Sequence, residues 1–429
     1  MTPGRGSAAD RTTGRPPPAA TVTAAALRSC FDGLAAIGRD PQRGGWSRLA
    51  WTPEDAAARA WFTAEAEGRG LDVEQDRNGD LWAWWRPEGA AGPAVATGSH
   101  LDTVPGGGAY DGALGVVAGL LAVDALRAAG VRPVRPIAVV AFGDEEGARS
   151  GLPTFASRLL TGALAPATAL ARTTADGAPL GEVLAAAGVD PAGLGPDPER
   201  LADIAAFVEL HVEQGRGLGE LGAPVAVATG IWPHGRWRLE ATGEGNHAGT
   251  TRMADRRDPT RVLAAAITGA AVHAVAVGGV ATVGRILVSP NGTNSVPATV
   301  RAWLDARAPD QGALTALLDG WTGEVERTAE ACGVAVELIE ESRSPAVTFD
   351  VKLVERVAAA LEWLGGAPPR LATAAGHDAG ALAAAVPAAM LFVRNRTGVS
   401  HSPAEHAEDA DCLAGVDALR TVLEDLACH

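Results

Sequence analysis

The order of apolar runs predicts an α/β protein with a mainly parallel central sheet and an inserted α+β domain. Three observations carry that prediction. Ala94–Thr97, Ile137–Phe142, Ile204–Leu210 and Ala388–Val393 are apolar runs of strand length, interrupted only by Glu209, as strands buried on both faces are. Gly112–Ala129 joins the first two and reads as a crossover helix with a mostly apolar surface. Between residues 215 and 342 the texture changes. There Pro224–Thr229 and Arg236–Thr242 alternate or nearly alternate apolar and polar residues, Thr260–Val277 reads as a helix, and Val300–Arg307 and Val334–Glu340 read as further half-exposed strands.

Size fits this division. A chain of 429 residues is too long for one ordinary core and suits two domains. The main domain is expected over residues 22–214 and 343–429, and the inserted one over 215–342. Residues 1–21 are rich in Pro, Gly and Arg without an apolar centre, and read as a disordered leader and not a secretory signal. Thr52-Pro53-Glu54-Asp55 opens a helix to Gly68, with Thr52 as N-cap and Pro53 in the first turn. No apolar stretch reads as long enough for a membrane span, so no membrane association and a cytoplasmic location are expected.

Composition excludes several functions. A net charge of −15 argues against nucleic acid or an anionic membrane as partner. Cys30, Cys332, Cys412 and Cys428 are scattered and form no CxxC pair, so neither a disulfide framework nor a thiolate zinc site is expected.

What remains is chemistry at the strand ends. Functional groups in open α/β sheets gather beyond the carboxyl ends of the strands. Here those ends carry His100, Asp102, Glu145, Glu146, His211 and, after a loop, His401, while Asp111 starts the helix after the first strand. Imidazoles and carboxylates are the ligands that zinc and similar divalent ions prefer. Two such ions side by side need a shared carboxylate to offset their repulsion, and Asp111 is the residue placed for it. His100 belongs with one ion, and Glu146 with another histidine serves the second. Asp102, two residues past His100, is expected to accept that ring's second N–H and fix its tautomer. The neighbours Glu145 and Glu146 point in different directions from an extended chain. One can bind metal while the other stays free to take a proton from water. His234, His273, His406 and His429 read as ordinary surface or core residues, and Gly106-Gly107-Gly108 as a tight turn delivering Asp111.

With these residues in view, the chain resembles the hydantoinase/carbamoylase family of amidohydrolases. That family includes N-carbamoyl-L-amino acid hydrolase, allantoate amidohydrolase and β-ureidopropionase, within the wider zinc-dependent aminoacylase- and carboxypeptidase-like enzymes. The blocks are GSHLDTVPGGGAYDGALGV, GDEEGARSG, ELHVEQG, GNHAGTTRM, PNGTNSVPA, AGHDAG and GVSHSPAEH, in that order.

The resemblance implies a role for each matching position. His100, Asp111, Glu146, His211 and His401 match the metal ligands, with Asp111 the bridge, and two divalent ions per subunit are implied: zinc or manganese, with cobalt or nickel also accepted. Glu145 matches the general base and Gln214 a substrate-binding residue. Asn294 and Arg307 match a pair that grips the substrate carboxylate, and Gly376 and His377 match further substrate contacts. His247 matches a histidine that reaches the partner subunit's active site and steadies the oxyanion, so a homodimer through the inserted domain is implied. The implied reaction is attack of activated water on a linear C–N bond of a small ureido acid, such as allantoate or an N-carbamoyl-L-amino acid. N-formyl or N-acyl amino acids and dipeptides are the alternative substrates. Two positions depart from the pattern: relatives usually have Pro where Arg252 stands and often an aromatic at Ser150.

Overall fold

A computed structural model describes residues 22–364 and 366–428. The leader expected over residues 1–21, and His429, lie outside the described residues. Parallel strands form the heart of a nine-stranded sheet, in the spatial order Ile137–Phe142, Ala94–His100, Ile204–Val212, Ala388–Val393. All their residues except Ala205 are buried, which is why these segments show no polar alternation. The helix Ala113–Ala128 covers Ala94–His100 and packs on the C-terminal helix Asp409–Cys428. Thr52 caps the helix Pro53–Gly68 by accepting from the Asp55 N–H.

Antiparallel strands flank this heart. Asp72–Gln75 and Leu81–Trp85 pair at one edge, next to Ile137–Phe142. Val225–Ile231 pairs antiparallel with Ala388–Val393 at the other. That second pairing corrects the domain boundary. The run around Pro224–Thr229 was expected in the inserted domain from residue 215, yet Val225–Ile231 is buried inside the main sheet. Its Val-Ala-Val-Ala run carries apolar side chains on both faces, and both are covered.

The inserted domain begins with the strand His234–Thr242 and ends with Ala335–Ser344, past the expected limit of 342. Its four-stranded antiparallel sheet runs Ala335–Ser344, His234–Thr242, Thr299–Arg307, Val280–Ser289. Alternate residues Val300, Ala302, Leu304 and Ala306 are buried in a separate core under the helices Pro259–Ala276 and Gln311–Cys332. Among the described residues, Pro259–Ala276 is long and apolar enough to cross a membrane by length and composition, with mean hydropathy 1.2, contrary to expectation. It buries Val262, Ala266, Ala270 and Ala274 in the inserted core and carries further alanines and valines on its outer face.

Trp321 anchors this second core; it is 1% exposed and donates its indole N–H to Ala266 O at 2.9 Å. Trp321→Ala should cost about 3–5 kcal/mol and lower the urea midpoint of the inserted domain. Trp321→Phe keeps most of the packing and should cost clearly less.

Candidate metal centre

The parallel strands end on one rim, and the candidate residues stand along it. His100 is the last residue of its strand, and His211 the last but one of Ile204–Val212. Glu145 and Glu146 sit in the turn after Ile137–Phe142, and His401 in the loop after Ala388–Val393. Asp144 and His401 hold left-handed φ angles of 52° and 53°, a backbone strain that packed functional sites tolerate. Gly112 has φ +65°, and a Cβ there would stand 2.5 Å from the His100 ring. Glycine therefore allows Asp111 and His100 to approach.

Asp111 is the centre of the arrangement. Its Oδ1 lies 3.4 Å from His100 Nε2 and 3.3 Å from His211 Nε2. Its Oδ2 lies 3.4 Å from His401 Nε2, which is itself 3.4 Å from Glu146 Oε2. Two donor groups of metal-binding size result, His100–Asp111–His211 and Asp111–Glu146–His401, sharing the Asp111 carboxylate. Glu145 falls on the other side from Glu146, with Oε2 3.7 Å from His100 Nε2. The two adjacent carboxylates thus serve different sides, as an extended chain directs them.

The ring tautomers suit metal ligation. His100 Nδ1 lies 3.0 Å from Asp102 O and His211 Nδ1 lies 2.8 Å from Val212 O. A carbonyl only accepts, so each Nδ1 carries the proton and Nε2 is left as a ligand atom. This refines the role expected of Asp102: its backbone carbonyl takes the His100 proton, while its carboxylate Oδ1 stands 3.6 Å from the same Nδ1. The carboxylate instead accepts the N–H groups of Glu145 and Glu146, at 3.2 and 3.1 Å, and so holds the acidic turn.

Charge balance is a further test of the fit. Burial pushes the Glu145 carboxyl well above the usual range despite His100, with Asp378 and Glu146 adding to the rise. Burial, and then Asp111, lifts Glu146 to about 8. Burial opposes a charged His100, yet Glu145, Asp111 and Asp102 together hold its pKa well above the ordinary one. Such a cluster is short of positive charge, and divalent cations would meet that need.

The expected substrate residues divide into groups. Gln214, Arg307 and His401 line one cavity of ~440 Å³, together with Ser400 and Ala374. Gln214 donates to Asp111 Oδ2 at 2.8 Å, and its buried Oε1 has no partner among the described residues. Arg307 gives Nε and Nη2 to Asp305, at 2.8 and 3.2 Å, and Nη1 to Ala374 O at 2.8 Å. His377 is buried, with its ring centroid 4.5 Å from that of His211, while the preceding Gly376 is exposed. Asn294 and His247 are not brought to this cavity. They sit together on an exposed ribbon, where Ser295 pairs with His247.

Asn294 and Arg307 therefore do not form a pair within one chain. Arg307 stands opposite His234 at one end of the inserted sheet, and Thr299 stands opposite Thr242 at the other, beyond which the ribbon lies. Nine strand residues span roughly 27 Å, too far for one small acid.

Of the departures, Ser150 is buried and its Oγ accepts from Leu152 N, and Arg252 is exposed and paired with Asp255. His234 bonds Trp232 O, His273 faces Glu324, and His406 meets Tyr110 edge-to-face. All four cysteines are free.

Sequence reasoning left several site residues unassigned. Glu209 accepts from Ser99 Oγ at 2.7 Å and Ala379 N at 2.8 Å beneath His211. Its two-residue spacing from His211 on one strand was the available signal. Ser400 stands 3.0 Å from Asp111 Oδ2, and Glu405 binds the turn carrying Asp111. Both lie within the GVSHSPAEH block.

Residues 96–425 match the peptidase family M20/M25/M40. The chain belongs to this family. Within it, the chain stands with the hydantoinase/carbamoylase amidases. It is 37% identical over 409 residues to N-carbamoyl-L-amino acid amidohydrolase of Geobacillus stearothermophilus, covering 92% of this chain and 96% of that one. Allantoate amidohydrolase of Escherichia coli is 30% identical over 406 residues, covering 94% and 98%. A hydantoinase/carbamoylase amidase from Burkholderia multivorans superposes with a TM-score of 0.85 at 31% identity, covering 95% of this chain and 99% of that one. This M20 protein is a metallohydrolase of the α/β class.

Asp102→Ala leaves two backbone N–H groups without an acceptor. It should lower metal affinity or activity about 10–100-fold, while Asp102→Asn, with one acceptor oxygen kept, should lose less. Metal titration of both variants checks this.

Proposed function

We propose that this M20 protein hydrolyses the linear C–N bond of a small ureido acid, an N-carbamoyl-L-amino acid or allantoate, with two divalent ions held by His100, Asp111, Glu146, His211 and His401. The observation that carries the reading is the division of Asp111: one oxygen faces two histidines, the other faces His401 beside Glu146, and Glu145 remains over. The relatives named for those two substrates support the choice. Zinc and manganese both suit the nitrogen and oxygen donors. The free cysteines fit a reducing, cytoplasmic setting.

When bound, the metal pair supplies Lewis acidity, which acidifies water and polarises a carbonyl. Glu145, buried beside His100, takes the proton of the attacking water and passes it to the departing nitrogen. Arg307 has three of its five N–H donors committed to Asp305 and Ala374, and among the described residues the others are left for the substrate carboxylate. Gln214 Oε1, buried and unpartnered, suits a ureido N–H.

A second copy of the chain completes the site in this reading. The partner subunit's His247 steadies the developing oxyanion, and the partner subunit's Asn294 reaches the same substrate. Support comes from the ribbon's distance from Arg307 and from an apolar face beside it. Ile267, Val272 and Val275 on the helix Pro259–Ala276, and Ile286 and Leu287 on the edge strand Val280–Ser289, are exposed. No Asp, Glu, Lys or Arg occurs between Val262 and Gly284. Arg285 is the one charged residue of that edge strand, and an open, largely apolar strand edge is a template for pairing with a like edge.

Glu145→Gln should keep its metal content and lose ammonia release on a panel of allantoate, N-carbamoyl-L- and D-amino acids, N-carbamoyl-β-alanine and N-formylglutamate. Retained turnover would remove Glu145 from the base role, and hydrolysis of dipeptides alone would reverse the substrate class. Mixing inactive His247→Ala with inactive Glu145→Gln should restore about a quarter of native activity, since half the reassorted dimers carry one intact site. No recovery would place His247 on its own chain's site or outside catalysis.

A further inference from the structure

We propose that Glu405 is the positioning residue for Asp111, setting the shared carboxylate so that one oxygen faces each donor group. This rests on the metallohydrolase reading above. Glu405 lies in the loop after His401 and is buried. Its Oε1 accepts the backbone N–H of Tyr110 at 2.9 Å and that of Asp111 at 3.0 Å. Its Oε2 lies 2.9 Å from Ser400 Oγ, which stands 3.0 Å from Asp111 Oδ2. One carboxylate therefore touches both the backbone of Asp111 and the hydroxyl that meets its side chain.

The contact joins parts of the chain 294 residues apart. On one side is the turn that presents Asp111, and on the other the segment Ser400–His401 that presents a donor of the second group. Elsewhere the turn has its own support, where Gly107 and Trp46 exchange backbone hydrogen bonds at 2.8 and 3.1 Å. At Tyr110 and Asp111 the two N–H groups converge on Glu405 Oε1. One oxygen that accepts from two successive N–H groups fixes both peptides of the turn to the same side chain.

Sequence detail agrees with the placement. A Cβ on Gly108 would stand 2.2 Å from Glu405 Oε1. The last glycine of the Gly106–Gly108 run thus makes room for the carboxylate, beyond allowing a turn. Asp111 needs such external holding. Gln214 and Ser400 both contact its Oδ2 and so turn Oδ1 toward His100 and His211, while the backbone position of Asp111 sets where that carboxylate stands.

The test uses the full chain, stripped of metal and titrated with Zn2+ or Mn2+ alone, followed by kcat and KM of the reloaded enzyme. Glu405→Ala should weaken metal binding about 10–100-fold, as loss of an outer partner of a ligand does, and lower kcat while KM holds. Its metal-free melting temperature should stay close to native. Glu405→Gln keeps an amide oxygen for both N–H groups and can donate to Ser400, so it should recover most of the metal affinity. Native affinity in Glu405→Ala, or a Glu405→Gln variant as impaired as Glu405→Ala, overturns the proposal and leaves the hydrolase reading standing. Should Glu405→Ala not fold, Ser400→Ala decides: weakened metal binding supports the clamp, and native binding overturns it. A native chain that takes up no metal removes both.

Discussion

Asp111 places a buried negative charge between two groups of imidazole and carboxylate donors. A buried charge must be paired or hydrogen-bonded, and the rest of the rim is arranged around that requirement. Asp102, Glu209 and Glu405 are also buried, and each is met by backbone amides from a distant segment: Glu145 and Glu146, Ala379, and Tyr110 with Asp111. These outer carboxylates hold the loops. The inner ones, Asp111, Glu145 and Glu146, face histidines and one another, with Gln214 and Ser400 also meeting Asp111, and such crowding of carboxylates is the condition under which a cation is favourable.

The inserted domain acts on this centre at two distances. Its near end carries Arg307, tied to Ala374 O of the main domain and lining the cavity beside His401. A guanidinium there brings a positive charge to a mostly neutral wall whose one carboxylate is Glu213, which suits a substrate bearing a carboxylate. Its far end carries His247 and Asn294 on an exposed ribbon, a full strand length away. Within one chain the two ends do not meet one small molecule.

Much of the fold was legible because burial leaves a direct mark on sequence. Ile137–Phe142 and Ala388–Val393 begin and end where their apolar runs do. Ala94–His100 extends through Gly98 and Ser99, which the apolar run alone excludes, because buried hydroxyls such as Ser99 can be satisfied by Glu209. Val225–Ile231 shows where the reading failed: its membership of the main sheet depends on which neighbours arrive, and periodicity carries no such information.

The sequence by itself determined the sheet heart, the strand-end histidines and carboxylates, and the pairing of a free Glu145 with Glu146, since ligand chemistry and strand period are local properties. Tertiary structure alone decided that the Asp102 carboxylate holds the acidic turn, that Glu405 reaches back to Asp111, and that Asn294 parts from Arg307. Each of those depends on a contact or a distance between segments far apart in the chain, and only packing brings such segments together.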